Sequence, residues 1–219
     1  GMMGDFSAAF VHCHLRGGGV TRMIETARQC LAARGIPVAV VTGEPPPGDE
    51  LPPHVRVVED LSYGGRADVS SVLSAVKAAA RDALGRDPDL WHFHNHCLGK
   101  NIVVPELVSL MAGEGRKVLL HIHDFAEDGR PGLYRQLLDT LGVGDPAVLG
   151  RILYPAGPGV HYCTINSRDA GILAGAGADA GTVHYLPNCA NDASGLHPGD
   201  DVTGDRRLIL YPTRAIRRK

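Results

Sequence analysis

The sequence predicts an α/β fold: a doubly wound, mostly parallel sheet of about seven strands with helices on both faces. Three observations predict it. Short apolar runs alternate with longer segments of helical period, the pattern of strands joined by crossover helices. The first run, Phe6–Val11, passes through Gly17, Gly18 and Gly19 into a helical segment, the form of a first βα turn. The chain has 219 residues and 44% hydrophobic content, enough for one large domain or two small ones with a real core.

Phe6–Val11 is short and apolar enough for a buried strand. From Val20, the residues Met23, Ile24, Ala27 and Leu31 recur at helical spacing until Gly35 and Pro37 stop the helix. Ile36–Val41 reads as a second strand, and the proline-rich stretch Glu44–Pro53 as a surface loop. Val55–Val58 is a short third strand, and Ala67–Leu84 an alanine-rich helix. Asp89–His96 is a fourth strand. Asn101–Ala112 is a helix, with Pro105 tolerable only in its first turn. Lys117–His123 is a fifth strand, followed by a charged loop over Asp124–Leu133 and helical patterns through Leu153. Val160–Ile165 is a sixth strand, Ser167–Ala176 a helix capped by Ser167, and Thr182–Leu186 a seventh strand. Pro187–Gly204 has linker composition; Leu208–Tyr211 reads as one more strand before the basic end Thr213–Lys219.

Composition excludes several function classes. The formal net charge is −2, so no global field points to nucleic acid or an anionic membrane. Aromatic content of 5% argues against a base-stacking surface. The five cysteines Cys13, Cys30, Cys97, Cys163 and Cys189 form no CxxC pair and read as buried, reduced thiols of a cytoplasmic protein. No run is long enough for a transmembrane helix, so membrane association is at most peripheral, to the inner membrane.

Gly17, Gly18 and Gly19 allow positive φ and close approach of the backbone, and the helix that follows offers unpaired N–H groups to a phosphate. Two better-known cradles do not match. The dinucleotide fingerprint needs a glycine where Arg22 stands, and the P-loop needs Lys-Ser/Thr where Val20-Thr21 stands.

In an open α/β sheet, ligands bind outside the carboxyl ends of the strands. Seven of the eleven histidines fall at those ends: His12 and His14; His92, His94 and His96; His121 and His123. Alternation places His92, His94 and His96 on one side of the fourth strand, and His121 and His123 on one side of the fifth. Such rows suit a metal site, a hydrogen-bonded core under a helix, or, at the outermost positions His14, His96 and His123, a polar cleft for a hydroxyl-rich ligand.

Four pieces then fall in a telling order: His14–Arg22 (HLRGGGVTR), His123–Phe125 (HDF), Val183–Asn188 (VHYLPN) and Leu208–Lys219 (LILYPTRAIRRK). Together they resemble the N-terminal half of a family 4 glycosyltransferase of the GT-B fold. The resemblance implies an acceptor-side Rossmann-like domain over residues 1–187, a linker over 188–204, and the first strand and clamp of a truncated C-terminal domain over 205–219. Two departures mark a divergent member. The Pro-Asn-Gly-x-Asp turn of the family is Pro187-Asn188-Cys189-Ala190-Asn191 here, and Thr213 replaces the glycine before the clamp arginine.

By resemblance, the parent enzyme transfers a hexosyl unit from a nucleoside-diphosphate sugar to a sugar or other hydroxyl acceptor, with retention of configuration. His123 would sit at the reacting sugar. Gly17, Gly18 and Gly19 would approach the donor diphosphate, with Arg214 and Lys219 as its cationic clamp. His14, His96, Asp124, Glu127, Asp128 and Arg130 would hold the acceptor. No metal and no cofactor beyond the nucleotide-sugar is implied, because fixed cations stabilise the leaving diphosphate. The partner implied is the missing C-terminal domain, without which the fragment is expected to be inactive. Two other readings are a metal-dependent hydrolase built on the strand-end histidines and a non-catalytic sugar- or nucleotide-binding module.

Overall fold

The computed structural model describes residues 6–188. Its strands are β1 (Ala8–His12), β2 (Val38–Thr42), β3 (Val55–Val57), β4 (Leu90–His94), β5 (Val118–Ile122), β6 (Val160–Thr164) and β7 (Val183–Tyr185). Its helices are α1 (Gly19–Ala32), α2 (Val69–Leu84), α3 (Val103–Gly113), α4 (Pro131–Thr140), α5 (Pro146–Leu153) and α6 (Ser167–Gly175). The strands form one seven-stranded sheet in the order β3-β2-β1-β4-β5-β6-β7, and every neighbouring pair is parallel. This is the doubly wound α/β sheet the sequence predicts. The winding reverses between β1 and β4, where Val11 lies beside Phe93. The loops after those two strands therefore leave the sheet side by side.

Alternation along β4 separates two cores. Trp91 and Phe93 join Val11, Leu120 and Ile122 beneath α2 and α3, packed on Val72, Val76, Leu107 and Met111. On the opposite face, Phe10, Val38 and Val40 pack under α1 through Ile24, Val20 and Leu31. A third cluster joins Leu137 of α4 and Leu149 and Leu153 of α5 to Cys97 and Leu98. Burying each large side chain contributes about 1.5–3 kcal/mol.

The differences from expectation are local and have causes. β4 ends at His94, not His96, because Asn95 takes a left-handed φ of 51° and breaks the alternation. The loop after β5 ends sooner than expected, because Pro131 opens α4 at a position where its missing N–H costs nothing. The cap of α6 is Asn166, whose side chain accepts the Asp169 N–H, and Ser167 is the first helical residue. Pro105 does lie in the first turn of α3. Cys13, Cys97 and Cys163 are buried free thiols, but Cys30 is exposed on α1. None of Gly17, Gly18 and Gly19 has a left-handed φ; Gly18 is extended at φ 167°. Among the described residues no helix is long and apolar enough to cross a membrane. The linker 188–204 (but for Asn188), the segment 205–219 with its strand Leu208–Tyr211, Cys189, Arg214 and Lys219 lie outside the described residues.

Candidate functional site

The carboxyl ends of β1, β4 and β5 gather the candidate residues. The β1–α1 loop starts the site. Its Thr21 hydroxyl donates to the Arg16 carbonyl at 2.6 Å, and Arg16 is held by both oxygens of Glu44 at 2.8 and 2.7 Å. The first turn of α1 contains no acidic residue and receives no side-chain cap. A Cβ at Gly17 or Gly19 would meet nothing within 4 Å. The fold itself therefore does not require glycine at those two positions, and their bare backbone leaves room for a ligand.

The loop after β4 is built by two asparagines that sequence reasoning missed. The Asn95 side-chain oxygen accepts the backbone N–H groups of His123 (2.9 Å) and Asp124 (3.2 Å), while its own N–H donates to the His121 carbonyl (2.9 Å). It thereby fixes the end of β5, and with it His123. Asparagine is the residue type, after glycine, that best tolerates a left-handed φ. Asn101 donates to the carbonyls of Asp60 and Ser62, both at 2.7 Å, and accepts the Val103 N–H at 2.9 Å. It ties the segment before α2 to the loop before α3. Gly65 makes that approach possible, since a Cβ there would clash with the Asp60 carbonyl and the Asn101 amide. The Gly64 N–H donates to the Lys100 carbonyl at 2.7 Å. These ties bring Tyr63, Lys100 and His14 together: the Tyr63 hydroxyl lies 2.8 Å from His14 Nε2 and 2.9 Å from Lys100 Nζ.

Behind this mouth runs a column of imidazoles. His12 Nδ1 donates to the His94 carbonyl at 3.1 Å. His94 Nδ1 and His123 Nε2 are 3.1 Å apart, and His92 Nε2 and His121 Nδ1 are 3.2 Å apart. The rings of His92 and His94, and of His121 and His123, stack at 4.3 Å. Burial holds every one of these groups neutral. It lowers His12 and His123 to about 4 and His121 to about 3, with neighbouring imidazoles adding to the effect on His12 and His121 and Asp124 opposing it at His123. His92 and His94 are lowered well below the usual value by the same burial.

The hydrogen bonds assign the tautomers. His94 Nε2 and His121 Nε2 are buried without a partner. A bare lone pair is the less costly group to leave so, which puts the shared protons on His94 Nδ1 and His121 Nδ1. With that assignment His123 Nε2 accepts from His94, and the ring proton of His123 is on Nδ1.

His96 leaves the face of His92 and His94, because Asn95 has turned the chain. It is buried, lowered to about 4 by that burial, and its Nε2 donates to the Leu153 carbonyl at 2.6 Å. It fastens α5 to the end of β4. Asp124 receives a 3.3 Å contact from Arg130 across the loop. Glu127 accepts the Tyr154 hydroxyl proton at 2.8 Å, and Asp128 is exposed in the following turn. His14 is partly exposed and lowered, first by burial and then by Arg16.

His92, His94 and His121 can each offer a nitrogen within 4.8 Å of the others, the geometry expected of the metal reading. Their stacking opposes it. The His92 ring lies 21° from the His94 plane and 12° from the His121 plane. In this arrangement His92 Nε2 and His121 Nδ1 are engaged with each other at 3.2 Å, so an ion would require the rings to turn.

A parallel sheet with its polar residues gathered at the switch point is an α/β domain of the doubly wound class, in which ligands bind at that point. Residues 17–192 match the model of Glycosyltransferase Family 4, and the chain belongs to that family. It is also similar to mannosylglucosyl-3-phosphoglycerate synthase of Petrotoga mobilis, with 29% identity over 143 residues. That match covers 58% of this chain and 27% of the relative, so the chain spans about a quarter of the relative's length. The resemblance to the N-terminal family 4 domain is thus sustained over most of the sequence.

Proposed function

We propose that this chain is the acceptor-side domain of a retaining glycosyltransferase that moves a hexosyl unit from a nucleoside-diphosphate sugar to a hydroxyl acceptor. The observation that carries this reading is the meeting of the β1, β4 and β5 loops at the switch point in a family 4 chain, with His123 held at the edge by Asn95 and His94. The name of the Petrotoga relative describes a product with two hexosyl units, in keeping with hexosyl transfer.

On this reading the backbone of Gly17, Gly18 and Gly19 approaches the donor diphosphate. His123 offers its Nδ1–H to the reacting sugar as a neutral donor, because its proton affinity is too low for it to be cationic at neutral pH. Asp124, Glu127, Asp128 and Arg130 hydrogen-bond acceptor hydroxyls, with His14 at the mouth; His96 supports the wall from within. Arg214 and Lys219 stabilise the leaving diphosphate in the role a metal plays elsewhere, so neither metal nor cofactor takes part. A second domain completes the donor site, and residues 1–219 alone turn over no substrate.

The test is nucleoside-diphosphate release from a panel of nucleotide-sugars. None is expected from the 219-residue chain. Release is expected when a family 4 C-terminal domain is supplied to the chain, falling at least a hundredfold in His123→Ala. Undiminished release in His123→Ala would remove His123 from the reaction.

A further inference from the structure

We infer that Tyr63 and Lys100 form an oxyanion-recognition point at the mouth of the site, which receives a phosphate group carried by the acceptor. Assigning this anion to the acceptor rests on the transferase reading; the anion site itself does not.

The Arg16 N–H reaches His14 Nδ1 at 3.3 Å, so that nitrogen bears the lone pair and the ring proton is on Nε2. His14 Nε2–H therefore donates to the Tyr63 hydroxyl, and Lys100 donates to the same oxygen. A phenol oxygen accepts two hydrogen bonds and donates one. Both of its accepting positions are filled, so its own proton is left to point at something else. Among the described residues no acceptor receives it, and Tyr63 is 38% exposed.

Lys100 makes the same point with charge. Its ammonium stands 4.5 Å from the centre of the Tyr63 ring, and among the described residues it pairs with no carboxylate. It keeps two further N–H groups beyond the one on Tyr63. Arg16 lies 5.9 Å from the same ring, but Glu44 grips it with both oxygens, so the uncompensated charge is that of Lys100. A partly buried ammonium and an uncommitted hydroxyl proton side by side are donors without an acceptor, and an oxyanion supplies the acceptor and the charge at once.

The two groups are also held in place, which separates them from ordinary surface side chains. The Lys100 carbonyl is fixed by Gly64 and the Tyr63 segment by Asn101, so little backbone order remains to be gained on binding.

The probes are inorganic phosphate, glucose 6-phosphate and uridine diphosphate, titrated into the 219-residue chain by calorimetry and thermal shift, with sodium chloride at equal ionic strength as the blank. Saturable binding of phosphate and glucose 6-phosphate is expected. Lys100→Met should weaken both at least tenfold and Tyr63→Phe severalfold, while Lys100→Arg recovers part of the loss. Lys77→Met, remote on α2 and paired with Glu114, should change nothing. Uridine diphosphate, whose donor site a second domain completes, should bind the 219-residue chain no more tightly than inorganic phosphate and weaken in parallel with it in Lys100→Met.

Absence of a saturable phosphate response would overturn the inference. So would a response that survives both Lys100→Met and Tyr63→Phe. A Lys100→Met protein that loses uridine diphosphate but keeps glucose 6-phosphate would move the anion to the donor and overturn the acceptor assignment. Failure of every nucleotide-sugar to bind the chain supplied with a family 4 C-terminal domain would remove the transferase reading and leave the phosphate result standing.

Discussion

The two faces of β4 are buried alike and built from opposite materials. Trp91 and Phe93 point into carbon; His92 and His94 point into other imidazoles and against the edge of Phe10. The apolar face gains its stability from area removed from water and is indifferent to pH. The histidine face costs desolvation, offset by ring–ring hydrogen bonds, each of which needs its acceptor ring neutral. A parallel sheet covered on both sides usually favours hydrocarbon on both. Here one side departs from that rule, and it is the side whose column ends at His123.

The largest expected consequence is acid lability. The folded proton affinities of His12, His121 and His123 lie below the ordinary value near 6.5, at about 4, 3 and 4. The unfolded chain therefore binds protons first as pH falls. The contribution of these groups is complete well above pH 6.5 and is lost as pH falls from there towards 4, and towards 3 for His121. A tenfold difference in proton affinity between the folded and unfolded chain is worth about 1.4 kcal/mol, so the sum is of the order of the ~5–15 kcal/mol that stabilises a domain. Urea midpoints should fall steeply between pH 7 and 5, with cooperative unfolding before pH 4. A midpoint unchanged over that range would mean that the two faces do not differ as described.

Next comes the carbon face. Phe93→Ala should cost about 3–5 kcal/mol through lost burial and the cavity left behind. The distinguishing feature is that this cost should be the same at pH 8 and pH 6, whereas His92→Phe should flatten the pH dependence.

Smaller again is the joint between the strands. Asn95→Ala leaves the N–H groups of His123 and Asp124 without their acceptor and strains a left-handed residue, at about 1–3 kcal/mol. Asn95→Gly removes the strain but does not restore the acceptor. If His123 acts at the reacting sugar, both variants should lower kcat of the complete enzyme, with Asn95→Gly the more stable by about 1 kcal/mol. Equal stability of the two would show that φ at 95 carries no strain.

Most of the scaffold was legible in the sequence because period and punctuation are local signals. Each of the seven predicted strands in residues 6–188 is present within one to two residues, and the pairs His92/His94 and His121/His123 share a face as alternation requires. What alternation could not carry was Asn95, one residue whose conformation turned His96 from cleft to core. The three glycines likewise promised a left-handed φ and none adopts one, because a glycine run permits a conformation without imposing it. Tyr63 and Lys100 were invisible for a different reason. They are 37 residues apart and meet only because Asn101 and Gly65 bring two loops together. A glycine-lysine-asparagine run after a histidine-rich strand was the available signal, and nothing in its spacing names Tyr63.

The smallest expected effect is that of added metal, and it tests the histidine face most sharply. The nitrogens of His92, His94 and His121 are close enough to share an ion. Zinc requires Zn–N distances of about 2.0–2.1 Å, with each lone pair aimed at the ion. To meet that need the stacked rings would have to rotate apart and the 3.2 Å contact between His92 and His121 would have to break. One equivalent of zinc should therefore move the melting temperature by less than about 1 °C, and dialysed protein should hold no stoichiometric metal. The exposed pair His161 and His184, 2.8 Å apart, can take up weakly bound zinc, so the comparison belongs in a His184→Ala background. One tightly held equivalent in that background, lost in both His94→Gln and His121→Gln, would mean that the column rearranges into a metal centre. The hydrolase reading would then displace the transferase proposal for this site.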